Sequence, residues 1–157
     1  MGKIFYNTFK DEHIGTISVA SQNDKLCYIG LNEKLDYTFD AKSNAQIISE
    51  LKEYFAGKRT KFTVGMIFLN GSDFQKRVWQ ALLKIPHGQV VSYKDLAEMV
   101  GCPNGFRAVG NANGKNPLPI VVPCHRVIGA DGRLGGYSGG LAIKRHLLNL
   151  ENVKIKD

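Results

Sequence analysis

SYKDLAEMVGCPNGFRAVGNAN, residues 92–113, decides how the second half of this chain is built. Ser92 is a good N-cap, YKDLAEMVG follows as a helix, and Gly101 ends it. CPNG makes a turn, and Phe106 to Asn113 form a second short helix. Helix, short turn, helix is the layout of a helix-turn-helix, whose second helix lies in a DNA groove. FRAVGNAN suits that place, because Arg107 is long and cationic while Ala108, Gly110 and Ala112 permit close backbone approach. Two ordinary core helices joined by a Pro-Gly turn would read the same way, and the pattern alone leaves both open.

Moving upstream, Asp73 to Lys84 (DFQKRVWQALLK) begins with a capping Asp73 and carries Phe74, Val78, Trp79, Leu82 and Leu83 on one stripe. IPHGQ then reads as a turn. The boundary between two lobes falls near residues 69–73, which gives domains at 1–70 and 71–157. The first lobe is strand-like: KIFYNTF, GTISVAS and CYIGLN are separated by the turns DEHIG and SQNDK, an antiparallel meander. Ala45 to Phe55 has helical spacing with Gly57 as its C-cap, and KFTVGMIFLNGS reads as one more strand and a loop. His13 sits in a polar turn and Cys27 in an apolar strand, so solvation and packing account for them.

The chain has 157 residues and a formal net charge of +7. Residues 1–72 hold 9 Lys and Arg against 8 Asp and Glu, whereas residues 73–157 hold 12 against 6. A basic lobe beside a neutral one suits a polyanionic partner. No apolar run is long enough for a bilayer and no signal pattern opens the chain, so no membrane partner and a cytoplasmic protein are expected. Three widely spaced cysteines, Cys27, Cys102 and Cys124, argue against a disulfide framework and for a reducing compartment. The Cys and His residues lack paired metal-ligand spacing, so neither a metal nor another cofactor is expected.

Downstream lies NPLPIVVPCHRVI, residues 116–128, which reads as a buried apolar strand with Cys124 and His125 side by side at its end. A thiolate is the reactive form of Cys, and an imidazole can accept its proton. Adjacent residues on a strand point to opposite faces, so contact between the two requires a bend, for which Pro123 is well placed. RLGGYSGG supplies a glycine-rich loop that can approach a flat ligand, and Glu151, after an apolar helix, could orient His125 in a Cys-His-acid relay. A flexible surface loop and a solvated helix end are the plain alternatives.

PCHRVIG, with RAVG upstream, NP before the apolar run and GGYSGGLAIKRHLLNLE after it, resembles the O6-alkylguanine-DNA alkyltransferases over about residues 73–151. The first half is similar to that family's smaller lobe, more loosely. The resemblance implies an α+β fold, with a small antiparallel-sheet, ribonuclease H-like N-terminal lobe and a mostly helical C-terminal lobe. It implies a monomer acting on double-stranded DNA that contains alkylated guanine, and by extension O4-alkylthymine. Cys124 would accept the alkyl group, His125 would take its proton through a water, and Glu151 would hold the imidazole. Tyr93 would hydrogen-bond the flipped base, Tyr137 would wall the pocket, and the Ser138 amide would meet the guanine oxygen. Backbone carbonyls of Cys124 and Val127 would accept from the exocyclic amine. Asn116 would brace the start of the strand, and Lys144 would lie near the pocket. Arg107 would intercalate, with Ala108, Gly110, Asn113 and Arg126 also on the DNA side.

Asn113 and Gly114 depart from the animal forms, which carry a larger apolar residue and an Arg there. The animal forms' structural zinc is not expected, because the first half has only Cys27 and His13. Nor is phosphotriester repair, which longer relatives perform with a further domain. Three other activities compete on the residues alone. A lesion-binding protein without transfer would lack the nucleophile, which is present. A helix-turn-helix regulator would need base-reading side chains on Phe106–Asn113, which are mostly small. A Cys-His hydrolase would turn over repeatedly.

Overall fold

Asn23 and Asp24 both adopt left-handed backbone, with φ of 51° and 62°, and make the tight turn that sets the register of the first sheet. In the computed structural model, which describes residues 2–156, that turn joins β2 (Gly15–Gln22) to β3 (Lys25–Leu31). The two pair antiparallel, with Gln22 opposite Lys25. β1 (Ile4–Asp11) pairs antiparallel along the other side of β2, completing the expected meander. β2 is therefore an inner strand, and Ile17, Ser18, Val19 and Ala20 are all buried.

Two features of this unit differ from expectation. A two-residue strand, β4 (Thr38–Phe39), adds in parallel to β1, giving the order β3-β2-β1-β4. KFTVGMIFL is not a strand but an extended segment touching the sheet through one bridge, Met66 to Leu26. The cause lies in a side chain: the Thr63 N–H donates to the Glu50 carboxylate at 2.7 Å instead of to a strand neighbour. Glu50 belongs to α1 (Ala45–Phe55), which buries Ile47, Glu50, Leu51 and Tyr54 on one face. That helix ends at Gly57, φ 74°, where N–H groups of Gly57 and Lys58 bond the carbonyls of Tyr54 and Glu53.

The chain divides after Leu69 into a second compact unit. It holds α2 (Asp73–Leu82), α3 (Tyr93–Met99), α4 (Phe106–Gly114) and α5 (Leu141–Leu150). α2 and α3 open with capping boxes, Ser72 with Gln75 and Ser92 with Asp95. Ser72, not Asp73, is thus the cap of α2, and Asp73 sits in the first turn, where its charge suits the helix dipole. Trp79 donates its indole N–H to the Ala112 carbonyl at 2.9 Å, fastening α2 to α4. The whole is the α+β architecture expected, a sheet-based unit followed by a mostly helical one.

The apolar run before Cys124 is not a strand. Pro117, Pro119 and Pro123 remove three ladder donors within eight residues, so residues 116–123 fold as a buried irregular segment. Asn116 holds it: its Nδ2 donates to the Val122 carbonyl at 2.7 Å and its Oδ1 accepts from the Leu118 N–H at 2.9 Å. Ile120 has φ 76° there, a rare conformation for a β-branched residue. A 3-10 turn, Cys124–Arg126, follows, and then β6 (Val127–Ile128), which pairs in parallel with β5 (Val91–Ser92).

Candidate active site

The 3-10 turn brings Cys124, His125 and Arg126 in succession into the interior, where all three are buried. His125 is fully buried, and its Nε2 lies 2.7 Å from Glu151 Oε2. A carboxylate accepts, so the proton of neutral His125 resides on Nε2, leaving Nδ1 as an acceptor. Nδ1 has no protein hydrogen-bond partner. Burial pushes the His125 pKa below its ordinary 6.5, Glu151 pulls it up, and the charges of Arg126 and Lys144 push it down. A neutral imidazole with a free lone pair is a base ready for use.

Arg126, expected at the DNA, is instead part of this cluster. Its Nε and Nη2 donate to the two Glu151 oxygens at 2.8 and 3.0 Å, and its Nη1 donates to the Ile85 carbonyl at 2.7 Å. A bidentate pair with a buried carboxylate, at 6% exposure of the Arg, leaves the guanidinium nothing to offer a phosphate. The Gly88 N–H donates to Glu151 Oε1 at 3.1 Å. Ile85 and Gly88 belong to the IPHGQ segment, in which the sequence showed only a turn.

The Cys124 thiol is pushed up by its burial, while hydrogen bonds from Asn116 and Tyr137 and the charge of Lys144 favour the thiolate. Lys144 is itself completely buried. Its ammonium donates to the carbonyls of Val127 at 2.6 Å, Gly136 at 2.9 Å and Leu134. Burial lowers its pKa to about 8, with the neighbouring Cys124 opposing. Lys144 thus clamps the glycine-rich loop beside the thiol. The loop also meets Tyr93, whose hydroxyl lies 3.5 Å from the Gly136 carbonyl. Gly135 has φ 71°, and a Cβ there would stand 2.8 Å from the Tyr93 hydroxyl, so only glycine fits. Burial raises the Tyr93 pKa and keeps its proton in place for donation.

These groups enclose a pocket of about 210 Å³ lined by Tyr93, Tyr137 and Ser138 on loop and helix, by Gly110, Asn113 and Gly114 of α4, and by Cys124. The faces of α4 separate two kinds of residue. Arg107 and Ala108 are exposed, with Phe106 and Asn111. Gly110 is half-buried against Tyr93, and Asn113 is buried. Asn113, expected on the DNA side, donates from Nδ2 to the Cys124 carbonyl at 3.3 Å. It follows buried Val109 by four residues, so the helical turn carries it inward.

Residues 73–153 match the family described as 6-O-methylguanine DNA methyltransferase, DNA binding domain. The chain belongs to that family. It is 45% identical over 154 residues to the methylated-DNA--protein-cysteine methyltransferase of Mycobacterium tuberculosis, covering 94% of this chain and 92% of that one. It is 39% identical to the constitutive enzyme of the same name from Bacillus subtilis, covering 97% and 98%. Among solved structures, Mycobacterium tuberculosis OGT in complex with DNA superimposes with a TM-score of 0.88 at 44% identity, covering 94% of this chain and 92% of that one. The enzyme class expected from PCHRVIG is the one these relatives carry. No helix among the described residues is long and apolar enough to cross a membrane.

Proposed function

We propose that this protein repairs O6-alkylguanine in duplex DNA by transferring the alkyl group to its own Cys124. The observation that carries the proposal is the buried cluster of Cys124, His125, Glu151 and Arg126 beside a pocket that α4 lines from one side while presenting Arg107 on the other. The reacting carbon of an O6-alkylguanine lies inside the duplex stack, so the nucleotide must leave the stack to meet a buried thiol. Arg107, long and exposed at the start of α4, fills the space it vacates.

His125 Nδ1 takes the thiol proton through a bridging water, and Glu151 holds the imidazolium that forms. Sulfur then attacks the alkyl carbon, the S–C bond forms and the C–O bond breaks, and the electron pair goes to the guanine. Tyr93, which burial keeps protonated, donates toward that charge, with the Ser138 N–H beside the oxygen. The product is a thioether, which has no thiolate to regenerate, so each molecule acts once. O4-alkylthymine presents the same alkyl-oxygen bond and is a second substrate of the same transfer.

The decisive experiment is intact-protein mass after mixing with duplex DNA containing O6-methylguanine. Gain of one methyl, mapped to Cys124 and saturating at one per molecule, supports the proposal. DNA binding without a mass change would replace it with lesion binding alone. Arg107→Ala should lower the rate on duplex by at least about tenfold more than on free O6-benzylguanine, because only duplex requires extrusion. Equal losses would remove Arg107 from that role.

A further inference from the structure

The family resemblance places Arg107, Ala108, Gly110 and Asn113 of α4 on the DNA side and gives Phe106 no part. Yet Phe106 is 52% exposed, the most exposed large apolar side chain of the second unit among the described residues. It opens a helix whose other residues are mostly small. An aromatic ring half in water has burial still to gain.

The chain holds this ring in a fixed place. The Gly105 N–H donates to the Cys102 carbonyl at 2.8 Å, and the Gly105 carbonyl accepts from the Val109 N–H at 2.9 Å. Cys102 Sγ occupies the space that a Cβ at Gly105 would need, so the turn into α4 is tight. Helical phase then fixes the direction. Gly110 and Asn113 follow Phe106 by four and seven residues and share its stripe, and both line the pocket. Exposure falls along that stripe, from exposed Phe106 through half-buried Gly110 to buried Asn113. The stripe therefore runs from the surface into the pocket, with Phe106 at the rim. Arg107 begins the neighbouring stripe, which continues through Asn111 and Lys115, all three exposed.

We propose that Phe106 is an apolar wedge for duplex DNA, which packs against the base pair beside the extruded nucleotide and keeps that step unstacked while Arg107 fills the vacated place. Charge selects the occupant. The ring is flanked by exposed cations, α4 carries no acidic residue, and residues 73–157 hold 12 Lys and Arg against 6 Asp and Glu. Apolar side chains inserted at a base step open the duplex in other minor-groove proteins. This rests on the alkyl-transfer reading above.

The test is the rate of methyl gain, by intact-protein mass, on duplex DNA containing O6-methylguanine at saturating DNA, beside the rate of benzyl gain from free O6-benzylguanine. Saturation removes affinity from the comparison, and the free base requires no extrusion. Phe106→Ala should lower the duplex rate by about tenfold, the size of one base–aromatic contact, and leave the free-base rate unchanged. Phe106→Leu should keep most of the duplex rate, because a wedge must be apolar and need not be aromatic. The free-base rate reports the folded fraction of each variant, so misfolding cannot imitate the effect. A duplex rate unchanged in Phe106→Ala, or lowered no more than the free-base rate, would overturn the wedge. A loss that vanished at saturating DNA would also overturn it, leaving Phe106 a contact for affinity alone. No alkyl gain by the unaltered protein from either substrate would instead overturn the alkyl-transfer reading, and the wedge with it.

Discussion

In the first unit the Glu50 carboxylate accepts from the Thr63 N–H and hydroxyl, each at 2.7 Å, and from Gln46 at 2.9 Å. In the second, the Glu151 carboxylate accepts from Arg126 at 2.8 and 3.0 Å, from Gly88 at 3.1 Å and meets His125 at 2.7 Å. Both residues are 3% exposed. Glu50 has mostly neutral partners, and its nearest cation, Arg59, stands 3.9 Å away and a quarter exposed. It fastens an extended segment to a helix. Glu151 has a buried cation and a titratable ring, and next to it stand a thiol and a buried Lys144. One buried charge with neutral partners is a structural tie. Several buried charges around a nucleophile set the protonation states on which chemistry depends.

Substitutions that treat the two carboxylates alike should have unlike consequences. The largest effect belongs to the group the second cluster serves: Cys124→Ala should abolish methyl gain by mass while leaving DNA binding intact. Arg126→Met leaves the Glu151 charge buried with less compensation, and should cost about 3–5 kcal/mol in urea unfolding. It should also move the acid limb of the transfer rate. His125 must be neutral to act, and in the unaltered protein its depressed pKa places that limb below 6.5. Removing the cation lets Glu151 raise the imidazole pKa, so the limb shifts to higher pH. An unshifted limb in a folded variant would show that Arg126 only supports structure.

Glu50→Gln should cost less, about 1–2 kcal/mol, with no change in transfer rate. Hydrogen bonds from Thr63 and Gln46 outweigh the upward push of burial and hold the Glu50 pKa below its ordinary 4.5. Its ionised form therefore stabilises the folded state fully above pH 4.5, and that contribution is lost as pH falls through the lower folded value. The gap between Glu50→Gln and the unaltered protein should close over that range. A transfer rate that fell with Glu50→Gln would break the distinction between the two clusters.

The sequence was informative where structure is local. Period-2 alternation marked β1, β2 and β3, and Ser92 and Gly57 marked helix ends, because their causes lie within a few residues. It was misleading where the partner is distant. Arg126, placed on the DNA side by the family resemblance, has its partner 25 residues further along the chain. NPLPIVVP reads as a strand, since an apolar run does not by itself distinguish a strand from buried irregular chain. Three prolines were the available warning. β4 is too short to alternate. Asn113 was legible in part: its helical spacing from Val109 turns it inward, while its contact with Cys124 depends on the unforeseen 3-10 turn.

The carbonyls of Val127, Leu134 and Gly136 around Lys144 form one side of what, in an ion-binding protein, would be a coordination shell. Here the ion is covalently attached to α5 and cannot exchange with solvent. The wall of the pocket is in effect cross-linked by a captive cation, whose occupancy does not depend on which salt is present, although its charge falls as pH rises through about 8. Changing potassium for sodium should leave the shape of the pocket alone. The salt dependence of DNA binding would then report on the exposed cations proposed to meet phosphate, and not on this buried one.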